Sequence, residues 1–321
     1  MAEVYLSPYL IIAALILDFI LGESDRMPHP VIWFGKVINW SEENYNDESL
    51  SSFYRKVAGL VLALLLPLVV YILTFLLLKF AFYLGWTSGI LMALLLAYMT
   101  LSARGLRDAA HRVYDTLNKD DLSGAREALS HVVGRDTSRL DEPEIVRATI
   151  ETVAENSSDG VIAPLLYLII GGVPLAMAYK AINTLDSMVA YKNEKYCDFG
   201  WASARLDDMV NYIPARLTAL LIVFSAWFLD FDWKRSWKMM LRDCRNHPSP
   251  NAGFPEAAAA GALGVQLGGL NHYPGRIEER PLIGDNMMLL EREHIGGAIK
   301  LMYVSSILTV LIGLFVRGIL N

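Results

Sequence analysis

The chain has 321 residues, of which 54% are hydrophobic and only 19% charged, with a formal net charge of -6 and a mean hydropathy of +0.35. So apolar a composition excludes an ordinary soluble domain and points to a polytopic membrane protein. The acidic balance, without a basic stripe, excludes a nucleic-acid partner, and the two cysteines, Cys197 and Cys244, form no ligand-spaced cluster and give no reason to infer a disulfide.

The first apolar run, 5–21, has no Lys or Arg before it and no small-residue cleavage signature after it, so it reads as a retained helix. It carries Asp18, and an acid in a spanning segment is a functional candidate by default, though this one lies near enough to the end of its run to reach the interface. Pro28-His29-Pro30 is a rigid turn whose histidine has no second histidine at metal spacing and reads as a local hydrogen-bonding group. Runs 57–78 and 86–101 follow, with only Lys79 in the turn between them.

The polar stretch 102–160 holds Arg104, Arg107, Arg112, Lys119, Arg126, Arg135, Arg139 and Arg147, which places it in the cytosol by the positive-inside rule. Arg107, beside Asp108, reads as a juxtamembrane ion pair. Arg135, in the turn Gly134-Arg135-Asp136-Thr137, is the better anion candidate, because guanidinium forks bind phosphate and carboxylate bidentately. Asp141-Glu142-Pro143-Glu144 has the acids and proline of a helix start, and that helix is expected to run to Asn156. On it Glu151, Glu155 and Asp159 stand at i, i+4 and i+8, where like charges cost about 0.2–0.5 kcal/mol per pair and a cation would reverse the sign.

Run 161–178 is interrupted by Pro164, Gly171, Gly172 and Pro174. Beyond it, Lys180, Asn183 or Thr184, Ser187 and Tyr191 share a helical face with Asp186 beside them, so phosphate-binding and metal-binding groups fall within one segment, 147–192. If all six runs span, the stretch 179–212 lies across the membrane from the longest polar stretches. A broken or re-entrant fourth run resolves this, since irregular backbone survives at membrane depth when protein or a wet cavity satisfies it. The fifth run would then turn back as well, or 254–270 would dip into the bilayer. Asp207, Asp208, Asn211 and Arg216 lead at helical spacing into run 213–229, with Pro214 as boundary or kink.

The last polar stretch, 230–300, contains Ser249-Pro250-Asn251-Ala252-Gly253 ahead of Glu256 and the small-residue segment FPEAAAAGALGVQLGG, which permits close helix packing. Glycines at 253, 261, 264, 268 and 269, extended by Tyr273, Gly275, Arg280-Pro281 and Gly284, would let backbone amides approach a phosphate or a planar ligand. No G-x-x-x-x-G-K-[ST] run exists, which excludes an ordinary P-loop. Run 301–316 closes the chain. The expected fold is all-α: one membrane-embedded domain, 1–321, multi-pass, with about five to six hydrophobic segments, some of them re-entrant, and helical cytosolic stretches at 102–160 and 230–300.

These segments, in order, resemble the adenosylcobinamide-phosphate synthase family, the CbiB/CobD integral membrane proteins of cobalamin biosynthesis. The resemblance rests on LD...G...PHPV, ARGL, GRDT, ETVAEN..DGV.AP, GG.P.A..YKA.NTLDSM..YK, SAR.DD..N..PARL and NAGFPEAAAAGALGVQLGG. Two departures are Glu23-Ser24, where the family pattern has Asp-Pro, and Ala190, where it has Gly. The resemblance implies an ATP-dependent ligase of the cell membrane that joins adenosylcobyric acid to (R)-1-aminopropan-2-yl phosphate, giving adenosylcobinamide phosphate, ADP and phosphate. A membrane-embedded cobalamin synthase would be the next partner. Such chemistry needs a carboxyl activated as an acyl phosphate, Mg²⁺ on carboxylates and cations around phosphoryl oxygens.

Spacing and charge then nominate Glu151, Glu155, Asp186 and Asp208 as catalytic, and Glu151, Glu155 and Asp159 as the metal set. Lys180, Asn183, Lys192, Arg205, Arg216, Arg135, Asn251, Gly253 and Glu256 are nominated for substrate. Two other classes compete. A transporter of a charged solute would place acids and amides inside the spans, whereas here they concentrate outside them. A non-catalytic regulatory relative would have lost the ETVAEN, NTLDSM and NAG clusters, all of which are present.

Overall fold

The computed structural model describes residues 8–22, 29–191, 193–273 and 276–320. Lys192, Glu23, Ser24, Pro28 and Gly275, singled out from the sequence, lie outside the described residues. Among those described, the chain is helical except for one two-stranded antiparallel hairpin. Four helices are long and apolar enough to cross a membrane, and five if the broken pair Trp201–Val210 and Tyr212–Phe228 counts as one span. Within the first apolar run the described residues form the apolar helix Pro8–Leu21.

The chain divides into two compact units, Met1–Leu101 with Pro164–Asn211, and Ser102–Ala163 with Tyr212–Asn321. The first holds α1 (Pro8–Leu21), α2 (Pro30–Tyr45), α3 (Ser52–Leu84), α4 (Trp86–Tyr98), most of α8 (Ala163–Val189) and α9 (Trp201–Val210). His29 caps α2 by accepting the Val31 amide, the local role its sequence suggests. Helix α3 presents Leu64, Leu65, Leu68, Leu73 and Leu76 outward, a lipid-type surface. Ion pairs tie the loop before α9 to α2 and α3: Lys195 with Glu42 at 2.5 Å, and Arg55 and Lys56 with Asp198 at 3.0 and 3.3 Å. Helix α8 breaks at Gly172, whose φ of 68° and ψ of -166° suit a residue without Cβ. Pro174, two residues on, has no amide to restore the ladder. The glycines and proline of that run do interrupt it.

The second unit holds α5 (Ala103–Asn118), α6 (Leu122–Ser130), α7 (Glu142–Asn156), a π-helical turn (Ser157–Ile162), α10 (Tyr212–Phe228), α11 (Trp233–Asp243), α12 (Gly253–Leu263), β1 (Leu267–Tyr273), β2 (Arg276–Ile283) and α13 (Glu293–Leu320). Arg104 and Arg107 both pair with Asp108, at 2.7 and 3.0 Å, as juxtamembrane partners. The glycine-rich stretch departs from the expected open cradle. Helix α12 is buried along nearly its whole length, and a Cβ on Gly253 would lie 2.3 Å from the Cys244 carbonyl oxygen, so this glycine serves close packing. Gly268 and Gly269, with φ of 83° and 85°, form an irregularity at the start of a hairpin that pairs Gly269 with Arg280 and Asn271 with Glu278. The turn residues are real, but they fold a sheet rather than a loop.

Asp243 locks α11 to the end of that hairpin. Its carboxylate takes a bidentate pair from Arg242, at 2.7 Å on each oxygen, and the Gly284 amide at 2.8 Å. Burial alone would raise this carboxyl, and the guanidinium and amide hold it below its ordinary value of 3.8. A carboxyl depressed by folding contributes stability above its unfolded pKa and loses it as pH falls through the folded one. Asp243→Asn is therefore expected to cost about 1–3 kcal/mol at neutral pH. In thermal unfolding in detergent, the deficit against wild type should shrink as pH falls below 3.8.

Candidate functional site

The α7 helix starts where the sequence puts it. Asp141 accepts the Glu144 amide and Glu144 the Asp141 amide, both at 2.9 Å, a reciprocal cap reinforced by Pro143. From this fixed start Arg147 and Glu151 point into the unit and are buried. Arg135, held in a turn whose Thr137 hydroxyl bonds the Arg126 carbonyl at 2.9 Å, meets Glu151 at 2.6 Å. The second Glu151 oxygen takes the Gly268 amide at 2.9 Å. Arg135 also donates to Asn271 Oδ1, and Arg147 donates to the Leu270 carbonyl at 2.8 Å. The irregular strand start thus turns an amide onto a carboxylate buried between guanidinium groups.

A second half of the cluster comes from α12 and the loop before it. Glu256 lies 3.6 Å from His247 Nε2, and Arg280 Nη1 lies 3.3 Å from that same nitrogen. His247 Nδ1 accepts the Ser249 amide at 3.0 Å. Burial, and then the Arg280 charge, push the imidazole down to about 4, so it is neutral at pH 7. Burial, followed by the charges of Glu151 and Glu155, holds the Glu256 carboxyl well above its ordinary 4.5. Glu155 feels Arg280, Glu151 and Arg135 in turn, and Arg147 feels Glu151, Arg135 and Arg280. Glu278 adds a fourth carboxyl, 3.6 Å from Arg280, so four carboxyl groups and three guanidinium groups share one largely buried region. Charges buried in this way persist only when paired.

Among the described residues, no group of three or more His, Cys, Asp and Glu is placed to hold a metal ion. The nominated set Glu151, Glu155 and Asp159 is therefore not such a group; between Glu155 and Asp159 the chain passes into a π-helical turn at Ser157, with the Ala163 amide bonding back to Ser158. Both Glu151 oxygens are also engaged by Arg135 and Gly268. What remains is Glu155, whose charge makes the Glu256 carboxyl harder to ionise. Mg²⁺ is commonly held by one or two carboxylates plus substrate phosphates, and Glu155 has the chemistry for that mode.

Other nominated residues stand elsewhere. Arg216 donates to the Tyr212 carbonyl at 2.7 Å and to Asn251 Oδ1 at 2.9 Å, and lies over the rings of Tyr212 and Phe254 at 3.5 and 4.2 Å. Arg216 and Asn251 thus clamp the Ser249–Gly253 turn to α10. Lys180, Asn183, Asp186, Arg205 and Asp208 belong to the other compact unit. There Lys180 is buried on α8 with Asn183 and Asp186 half-buried, while Arg205 is exposed and only 3.9 Å from Asp208. Asp207 and Asn211, beside them, form a buried chain: Asn211 donates to Asp207 at 2.9 Å and accepts from the Tyr179 hydroxyl at 2.8 Å.

Sequence reasoning overlooked His247, Arg147, Asn271 and the Arg280 side chain as site members. A histidine in Asn246-His247-Pro248 without a second ligand carries no signal of its own. Arg280 and Asn271 become neighbours of the helix acids only through hairpin pairing. The neutral histidine has a measurable consequence. Between pH 6.5 and about 4 the unfolded chain holds a proton on His247 that the folded chain does not, so stability falls as pH drops through that window. The loss is expected to reach roughly 3 kcal/mol. His247→Gln should show a shallower fall in melting temperature between pH 7 and pH 4 than wild type.

The comparisons with known proteins agree with this picture. A family model described as CobD/Cbib protein matches residues 11–302, which include every member of the cluster. A protein of Geobacter metallireducens named cobalamin biosynthesis protein CobD is 47% identical over 311 residues, 97% of each chain. Proteins of the same name from Clostridium tetani and Pelobacter propionicus are 45% and 44% identical, covering 94% and 98% of this chain and 95% and 96% of their own. No solved structure matches. The chain, with its membrane-spanning helices and buried ionic cluster, belongs to the CobD/Cbib family of cobalamin biosynthesis proteins.

Proposed function

We propose that this protein is the ATP-dependent amide ligase of its pathway, a multi-pass protein of the cell membrane. It would join adenosylcobyric acid to (R)-1-aminopropan-2-yl phosphate to give adenosylcobinamide phosphate, and pass the product to a membrane-embedded cobalamin synthase. The observation that carries this reading is the enclosed cluster of Arg135, Arg147, Arg280, Glu151, Glu155, Glu256 and neutral His247. A corrinoid carboxylate oxygen attacks the γ-phosphorus of ATP and ADP leaves. The amine nitrogen then attacks the acyl carbon, phosphate leaves, and the amine gives up a proton.

Each step finds a group of suitable chemistry. Arginine forks complement phosphoryl oxygens, and Arg280, which lies 3.3 Å from the neutral imidazole of His247 and 3.6 Å from Glu278, offers such a fork. Mg²⁺, when bound by Glu155 together with the nucleotide, would neutralise charge on the transferred phosphoryl group. Glu256, whose proton affinity burial raises, would take the amine proton as a general base. Lys180 on α8 is assigned to a substrate phosphate.

Glu256→Gln imitates the protonated carboxyl, so the variant should fold as wild type does. Its output of adenosylcobinamide phosphate from adenosylcobyric acid, aminopropanol phosphate and Mg-ATP, followed by mass spectrometry, should fall at least about 100-fold, a typical general-base contribution. Glu155→Gln should lose turnover similarly and flatten the magnesium dependence of the melting temperature. Full turnover by both variants would remove the cluster from the reaction. Lys180→Met should raise the apparent KM for one phosphate-bearing substrate, and unchanged kinetics would free that residue from its assignment.

A further inference from the structure

We infer that α11, Trp233–Asp243, is an interfacial anchor that lies on the membrane surface with tryptophans inserted at headgroup depth and lysines on anionic phospholipid headgroups. Along WKRSWKMMLRD, Trp233, Trp237 and Leu241 fall at i, i+4 and i+8. They are 41%, 44% and 61% exposed. Lys234 and Lys238, each one position further on, form a parallel cationic stripe, and both are exposed. The opposite face is fixed: Met239 and Met240 are buried, the Ser236 hydroxyl bonds the Ala258 carbonyl at 2.7 Å, and a Cβ on Gly261 would strike the Arg235 carbonyl at 2.6 Å. The outward stripe is thus a built surface and not a frayed end. Asp232 caps the helix by accepting the Arg235 amide at 2.9 Å.

Continuity with the membrane selects the occupant. The preceding helix α10 ends in Phe224, Trp227 and Phe228, all exposed, an aromatic belt of the kind that marks a membrane–water interface. The chain then turns at Asp230, with φ of 55°, and the Phe231 amide bonds the Ala226 carbonyl at 2.8 Å. Residues 229–232 can extend at most about 14 Å, so Trp233 starts near that belt. A helix with tryptophans beside lysines, next to the end of a span, has the composition of an interfacial helix. Basic residues near a bilayer surface are drawn to its anionic lipids. A soluble protein partner would gain nothing from the position next to the span.

Full-length protein carrying Cys197→Ser, with Cys244 buried, can be spin-labelled at Trp237→Cys or, as a second position, Leu241→Cys, and placed in nanodiscs. Glu127→Cys serves as the water reference and Leu68→Cys as the lipid reference. In discs of phosphatidylcholine with phosphatidylglycerol, labels at 237 and 241 should collide with oxygen more than with a nickel chelate, as at 68 and unlike 127. Lys234→Gln with Lys238→Gln should lower that oxygen-to-nickel ratio at least two-fold. Nickel access at 237 and 241 equal to that at 127 would overturn the anchor. A ratio untouched by the lysine changes would overturn the headgroup contact. Nickel exclusion with strong spin–spin broadening would assign the face to a second copy and equally overturn the inference.

Discussion

The second compact unit depends on the buried contact of Arg135 with Glu151. A carboxylate taken from water at this depth costs several kcal/mol after relaxation, and attraction repays that only when the remaining lone pairs are also satisfied. The structure meets the condition from three separate parts of the chain. A turn after α6 supplies the guanidinium, α7 supplies the acid, and β1 supplies the Gly268 amide. Arg135 reaches on to Asn271, so the pair also fixes the hairpin, which in turn receives Asp243 through the Gly284 amide. Removing either partner would leave a charge without an answer and loosen the strand and helix that frame His247 and Glu256.

Much of the helical plan was legible in the sequence, for physical reasons that differ from element to element. Asp141-Glu142-Pro143-Glu144 announced α7 because capping is local chemistry, complete within four residues. Pro174 and Gly172 announced the break in α8 for the same reason. The first apolar run is helical over its described residues, with Asp18 buried near the end of that helix.

The candidate site was only half legible. Glu151, Glu155, Arg135 and Glu256 were found because carboxylates at helical spacing and an arginine in a glycine turn carry their meaning locally. Asp159, nominated with two of them for a metal, lies past Ser157, where the bonding changes to i→i+5, and among the described residues no three such side chains are placed to hold a metal ion. Asn271 was invisible because its role arises from pairing across more than a hundred residues, with Arg135, and His247 and Arg280 because they meet only once the loop before α12 and the hairpin fold together, 33 residues apart. The glycines misled in the other direction. They were read as making room for a ligand, whereas Gly253 makes room for the Cys244 backbone.

The balance of charge in the cluster bears on how a ligase could use it. Its arginines, Arg135, Arg147 and Arg280, already face the carboxyls of Glu151, Glu155, Glu256 and Glu278, the last 3.6 Å from Arg280, before any substrate arrives. A nucleotide triphosphate brings several negative charges into the cluster. A low-dielectric site cannot accept these without either a cation or protons on its carboxyls. Burial holds the Glu256 carboxyl well above its ordinary pKa, which favours the second remedy there, and a divalent cation, when bound by Glu155 with the nucleotide, would supply the first. On the proposed reading, metal and nucleotide should therefore bind as one event. Each would strengthen the other's affinity by the same factor, because coupling between two binding equilibria is reciprocal.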